Sequence, residues 1–256
     1  MKLEIAHARC GYPGHPVVTD ISFSVASGEA VYLLGPNGSG KTTLFKTVLG
    51  LLPRQGGSVL IDGKDTASWP RQRVARKLAY VPQAHTPPFP FTVRDVVLMA
   101  RTAHLGMFGM PSRRDAAIAE EAIDALGLSA LAGARYTEIS GGERQLVLIA
   151  RAVAQETEFL VLDEPTSNLD FGNQVKLLRI IRALVQRGFG LLVTTHLPDH
   201  AFLCASRVAL LHRGTLMAQG KPEEVLSEAR LQETYGIQLK IAEVEPGLRV
   251  CVPVLN

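Results

Sequence analysis

The chain has 256 residues, 46% hydrophobic and 20% charged, with a formal net charge of +3; that balance suits a packed globular protein and is too mildly basic to argue for nucleic acid as a partner. No apolar run approaches the about 18 residues of a membrane span, and Met1-Lys2-Leu3-Glu4-Ile5-Ala6-His7 lacks the apolar stretch of a secretion signal. With Cys10, Cys204 and Cys251 at no metal-ligand spacing, the expectation is a cytoplasmic protein with idle, reduced thiols.

Residues 1–34 read as β-rich. Leu3 to Ala8 alternates as a half-buried strand does, Gly11 to Pro16 reads as a turn, and Ile21 to Val25 alternates again. Tyr12 stands beside that turn, where its ring either stacks on an adenine or packs a sheet edge. Ser27-Gly28-Glu29 turns the chain into Ala30-Val31-Tyr32-Leu33-Leu34, a short buried strand. It feeds Gly35-Pro36-Asn37-Gly38-Ser39-Gly40-Lys41-Thr42-Thr43, which fits G-x-x-x-x-G-K-[ST] in full. The glycines let successive N–H groups curl around a phosphate. Lys41 adds a charge for the β/γ-phosphates, and the Thr42 hydroxyl is a ligand for Mg²⁺. The helix that starts near Lys41 points its positive end at the same anion.

Ser58 to Ile61 reads as a strand and Arg71 to Lys77 as a helix. The cluster Arg71, Arg73, Arg76 and Lys77 is either a solvated helix face or a contact for a partner or anionic lipid. Gln83 follows the strand Leu78 to Pro82, at the strand end where α/β ligand sites collect; its amide either binds a metal ion or water or is an ordinary loop group. Thr86-Pro87-Pro88-Phe89-Pro90-Phe91 reads as a stiff connector with exposed aromatics, and Thr92 as the cap of the next helix. From Val93 to about Ala132 the pattern is helical, broken at Gly106 to Pro111.

Ile139-Ser140-Gly141-Gly142-Glu143 opens another helix, as a second anion site or a flexible N-cap. Phe159 to Leu162 is a buried strand ending in Asp163 and Glu164. Beside the phosphate loop, Asp163 can hold Mg²⁺ and Glu164 can polarise a water. After a loop through Asp170 comes a helix from Asn173 to Gln186, then the buried strand Gly190 to Thr195, which ends at His196; an imidazole at that mouth either reaches a γ-phosphate or stands there by chance. Val208 to Leu211 and Gly214 to Ala218 read as a hairpin, Pro222 as the start of a short helix, and the tail from Ile237 as β-like.

Taken in order, Tyr12, the phosphate loop, Gln83, Ser140-Gly141-Gly142-Glu143, Val161-Leu162-Asp163-Glu164, Ser167-Asn168-Leu169-Asp170 and His196 resemble the motif series of the ATP-binding-cassette ATPases, over about residues 1–225. The resemblance implies an α/β fold: a P-loop NTPase core of RecA-like type with a mostly parallel sheet, an N-terminal antiparallel β subdomain and an inserted α-helical subdomain. One nucleotide-binding domain would span 1–256, with its core at 1–86 and 156–221, the helical part at 87–155 and a C-terminal extension at 222–256. ATP and Mg²⁺ are the implied cofactors.

By that resemblance Tyr12 stacks on adenine, and Gly35, Pro36, Asn37, Gly38, Ser39, Gly40, Lys41, Thr42 and Thr43 cradle the phosphates. Thr42, Gln83 and Asp163 attend the metal, Glu164 is the base, His196 and Gln83 sense the γ-phosphate, and Asp170 communicates across a dimer. Ser140, Gly141, Gly142 and Glu143 would close over the ATP of a second copy, in a head-to-tail homodimer. Ile139 and Glu143 depart from the family's usual Leu-Ser-Gly-Gly-Gln, and Leu146 stands where an Arg is frequent.

The loop from Thr166 to Gln174 resembles that of importers for iron-siderophore, haem and cobalamin-type chelates. The implied assembly lies at the cytoplasmic face of the membrane. It has permease subunits touching Gln83 to Arg94 and, indirectly, an extracytoplasmic binding protein. Zinc, manganese or molybdate import, export, a soluble cassette acting on ribosome or DNA, and a non-hydrolysing regulator are the alternatives.

Overall fold

The computed structural model describes residues 1–83, 90–106 and 109–255. In β1 (Lys2–Tyr12) the apolar residues Leu3, Ile5, Ala8 and Cys10 are buried, and in β2 (His15–Ala26) Val18, Ile21, Phe23 and Val25. The two pair antiparallel, with Gly11 opposite Pro16 and Tyr12 opposite His15. The expected six-residue turn therefore contracts to Pro13 and Gly14, because the ladder runs on to its rim. Strand β1 is longer than its simple alternation suggests because the register shifts between Ile5 and Ala8. His7 sits there at φ 51, and Gly57 of the neighbouring strand lies so close that a Cβ would fall 2.2 Å from the His7 carbonyl oxygen.

The all-buried β3 (Ala30–Leu34) leads through the phosphate loop into α1 (Lys41–Val48). Next come β4 (Arg54–Ile61) and β5 (Lys64–Asp65), which complete an antiparallel sheet of order β2-β1-β4-β5. Then α2 (Arg71–Ala75) precedes β6 (Leu78–Val81). The basic cluster there is a largely solvated face, with Arg71, Arg73 and Arg76 exposed and Lys77 half-buried, that also makes contacts within the chain. The Arg73 guanidinium lies 4.0 Å over the Trp69 ring, Arg76 Nε donates to the Ala103 carbonyl at 2.8 Å, and Lys77 pairs with Glu158 at 2.7 Å.

Three helices follow, α3 (Val93–Leu98), α4 (Arg113–Ala125) and α5 (Gly141–Ala154), packed on one another. Each begins with a capping box, Thr92 with Asp95, Ser112 with Asp115 and Ser140 with Glu143, so each first turn meets its orphan N–H groups with local oxygens. Arg101 is buried between them, donating to Asp115 at 2.9 Å, to the Ala154 carbonyl at 2.8 Å and to Glu156 at 2.8 Å. Of the aromatic connector, Phe91 is half-buried against this core rather than exposed; residues 84–89 lie outside the described residues.

The chain returns through β7 (Phe159–Leu162), α6 (Phe171–Gln186), β8 (Gly190–Thr195), α7 (Pro198–Cys204), β9 (Arg207–His212) and β10 (Thr215–Gly220). It ends in α8 (Pro222–Val225), α9 (Glu228–Tyr235) and a hairpin of β11 (Leu239–Glu245) with β12 (Leu248–Pro253). The second sheet has the order β10-β9-β3-β8-β7-β6, with every pair parallel except β10 with β9. Its parallel strands are covered on both faces, which explains their unbroken apolar runs. Ala30, Tyr32 and Leu34 of β3 enter the core shared with α3, α4 and α5, while Val31 and Leu33 enter the core shared with β1, β2 and α1.

Candidate active site

Strand order builds the site. β3, β8, β7 and β6 are parallel neighbours, so the residues just past their carboxyl ends share one edge. Those residues are the phosphate loop, His196, Asp163 with Glu164, and Gln83.

Close packing forces the loop's glycines. A Cβ on Gly35 would lie 2.3 Å from the Leu211 carbonyl oxygen; one on Gly40, at φ +104, would lie 2.7 Å from Val18 Cγ2. Gly38 takes φ +80 with open space where a Cβ would stand. No side chain caps α1 and its first turn holds no acid, so its leading N–H groups are left for an anion. The Ser39 hydroxyl is buried with no hydrogen-bond partner among the described residues. A cavity of about 290 Å³ opens here, lined by Val17, Asn37, Gly38, Lys41, Gln83 and Glu164. These features fit a polyphosphate. A larger cavity of about 540 Å³ runs along Val74, Tyr80, Met99 and Arg151.

The charged groups are held closely. Lys41 Nζ donates to the Gly35 carbonyl at 2.7 Å and the Pro36 carbonyl at 3.1 Å, and lies 3.3 Å from Glu164 Oε1. Burial draws its pKa below the ordinary lysine value, while the Glu164 and Asp163 carboxylates pull the other way. The second Glu164 oxygen receives Gln83 Nε2 at 3.4 Å and lies 3.1 Å from His196 Nδ1. Glu164 itself takes φ 45, an unusual conformation for a residue with a side chain.

Asp163 accepts from Thr42 Oγ1 at 3.3 Å, Thr194 Oγ1 at 2.7 Å and Tyr80 OH at 3.3 Å. Thr42 and Asp163 thus supply the hard oxygens that a divalent cation shared with substrate phosphates requires. Burial, and then the Asp163 charge, push the Tyr80 phenol well up, so it stays a donor. Thr194 also accepts from the Glu164 backbone N–H at 2.8 Å. Tyr80 and Thr194 escaped the sequence reading. For Thr194 a signal existed: a hydroxyl inside a wholly buried apolar strand must find a partner.

Other expected residues stand apart from this cluster. Ser140 caps its own helix, accepting from the Glu143 N–H at 3.3 Å, while the Glu143 carboxylate accepts from the Ser140 N–H at 2.8 Å. These contacts to Ser140 hold the Glu143 carboxyl below its usual range. Asp170 caps α6 through the Asn173 N–H at 2.9 Å. A Cβ on Gly142 would fall 2.7 Å from Asn173 Nδ2, so the starts of α5 and α6 abut. Tyr12 is 45% exposed at the hairpin end, away from the carboxylate cluster.

Residues 18–167 match the family model described as ABC transporter. The chain belongs to that family. An ABC transporter ATP-binding protein of Haemophilus influenzae, itself uncharacterized, is 40% identical over 92% of this chain and 89% of its own length. A hemin import ATP-binding protein, HmuV, of Chelativorans sp. is 36% identical over 91% of both chains. Among solved structures, a chain of an inward-facing metal-chelate type ABC transporter superposes with a TM-score of 0.87 at 30% identity, covering 99% of this chain and 98% of that one. The protein is an ABC ATPase: it binds ATP, and its hydrolysis drives transport. No helix among the described residues is long and apolar enough to cross a membrane.

Proposed function

We propose that this ABC ATPase powers import of haem or a related metal chelate, working as a pair of copies beneath a separate permease. The relatives support the cargo class, being a hemin import protein over 91% of the chain and a metal-chelate type transporter over 99%. The observation that carries the hydrolytic mechanism is Glu164, gripped through both oxygens by Lys41 on one side and by Gln83 and His196 on the other.

In this reading Gly38, Ser39, Gly40, Lys41, Thr42 and Thr43 cradle the triphosphate, and the exposed Tyr12 ring stacks on adenine. Thr42 and Asp163 would hold Mg²⁺, which supplies positive charge for the β- and γ-phosphate oxygens. Glu164 takes a proton from the attacking water, held in place by Gln83 and His196. Lys41 shifts from the Glu164 carboxylate towards the phosphates as they arrive. The partner subunit's Ser140, Gly141, Gly142 and Glu143 complete the site at the start of α5, and Asp170 lies at the same face. The permease is met along residues 83–94, and the complex sits at the cytoplasmic side of the membrane.

Glu164→Gln is the test. It keeps the volume and one accepting oxygen but removes the charge and the proton acceptor. Phosphate release should fall about a hundredfold to ten-thousandfold while ATP binding persists and ATP-bound dimers accumulate. Full turnover in that variant would remove Glu164 from the role. Uptake of haem by vesicles carrying the permease and this chain checks the cargo.

A further inference from the structure

Glu164 holds a left-handed backbone (φ 45), which persists only where its surroundings over-determine it. Upstream, its N–H is fixed by Thr194 Oγ1 at 2.8 Å. Its carbonyl accepts Ser167 Oγ at 2.8 Å and Ser167 N at 3.0 Å, but Ser167 belongs to the same loop and cannot anchor it to the rest of the molecule. The downstream anchor comes from elsewhere. Thr166 Oγ1 lies 3.2 Å from Nδ1 of His200, and both side chains are buried, Thr166 at 4% exposure and His200 at 7%.

His200 stands on α7, the helix entered just after His196. The C-terminal hairpin braces that helix: β12 packs on α7, and Asp199 Oδ1 accepts from the Cys251 N–H at 2.7 Å.

We infer that His200 is a positioning residue for hydrolysis: through Thr166 it clamps the turn that carries Glu164 to the helix that follows His196, and the C-terminal hairpin stiffens that clamp through Asp199. One rigid piece then carries both residues that face the γ-phosphate, so their 3.1 Å contact does not drift. The inference rests on Glu164 being the base.

The test compares His200→Leu, His200→Asn, Thr166→Val and the His200→Leu/Thr166→Val double variant in the full-length chain with its permease. Hydrolysis, ATP affinity and thermal midpoint are read for each, with Glu164→Gln as the control. Asn places a polar atom near the Nδ1 position, so it should restore the contact that Leu removes. His200→Leu and Thr166→Val should each lower kcat about tenfold with KM for ATP within about twofold, the double variant should be no slower than the worse single, and His200→Asn should recover most of the rate. Wild-type kcat in Thr166→Val, additive losses in the double variant, or losses that track the thermal midpoint without recovery in His200→Asn would overturn the inference. A freely turning-over Glu164→Gln would instead sink the reading beneath it.

Discussion

Glu143 puts a negative charge at the start of α5, the helix end proposed to close over a second copy's phosphates. Its carboxylate is turned back onto the Ser140 N–H, which satisfies the helix and also takes a donor from any incoming anion. Glutamine would keep the cap without the charge. ATP-driven dimers of Glu143→Gln, measured by sedimentation in the Glu164→Gln background, should be on the order of threefold to tenfold tighter, with a shallower dependence on salt. Equal dimer affinity and salt dependence in parent and variant would place Glu143 away from the phosphates. At this scale, legibility follows spacing. Lys41, Thr42, Asp163 and Glu164 sit at motif distances or at strand ends, where chemistry can be inferred from residue type. Tyr80, Thr194 and His200 are ordinary types whose partners lie on neighbouring strands or loops, at separations from 30 to 83 residues for their bonds to Asp163, Glu164 and Thr166. No local pattern announces such pairings.

Among the elements, the buried strands were the plainest to read. β3, β7 and β8 appear as apolar runs because parallel strands covered on both faces have no solvent side to mark with polar residues. β1 and β2 were read short, since the shifts near His7 interrupt strict alternation without ending the ladder. Threonine before an apolar helical run predicts the cap at Thr92, and its hydroxyl accepts from the Asp95 N–H at 3.1 Å. Thr92→Ala should lower unfolding free energy by about 1 kcal/mol, measured by urea titration. The change should leave ATP affinity unmoved, because the Thr92 side chain bonds within its own helix start, to Asp95. The brace between the C-terminal hairpin and α7 was invisible beforehand, because its hydrogen bond ends on a backbone N–H, which every residue but proline carries.

For the molecule as a whole, buried acids that hold their protons more tightly after folding, Cys204 and Cys251 among them, contribute to an alkaline limit. Burial pushes Cys204 up to about 11, and burial with the Asp199 charge pushes Cys251 up to about 12, both from an ordinary value of 9.0. The unfolded chain loses these protons first, so between 9.0 and the raised values it binds fewer protons than the folded chain. Their contribution is complete below pH 9.0, shrinks as pH climbs above that value, and is gone once the folded thiols ionise. Denaturation midpoints should therefore fall with pH above 9.0, and Cys204→Ala should flatten that slope. An equal slope in the variant would move the cause elsewhere.

Strand β3 has no free side: Tyr32 faces one core and Val31 and Leu33 the other. Adding or deleting a single residue there would swap every side chain to the wrong chamber and drag the nucleotide loop out of line with its neighbours. Length changes tolerated in surface turns should therefore be lethal within residues 30–34, and grafts of this motor onto other scaffolds must carry that strand together with both of its linings.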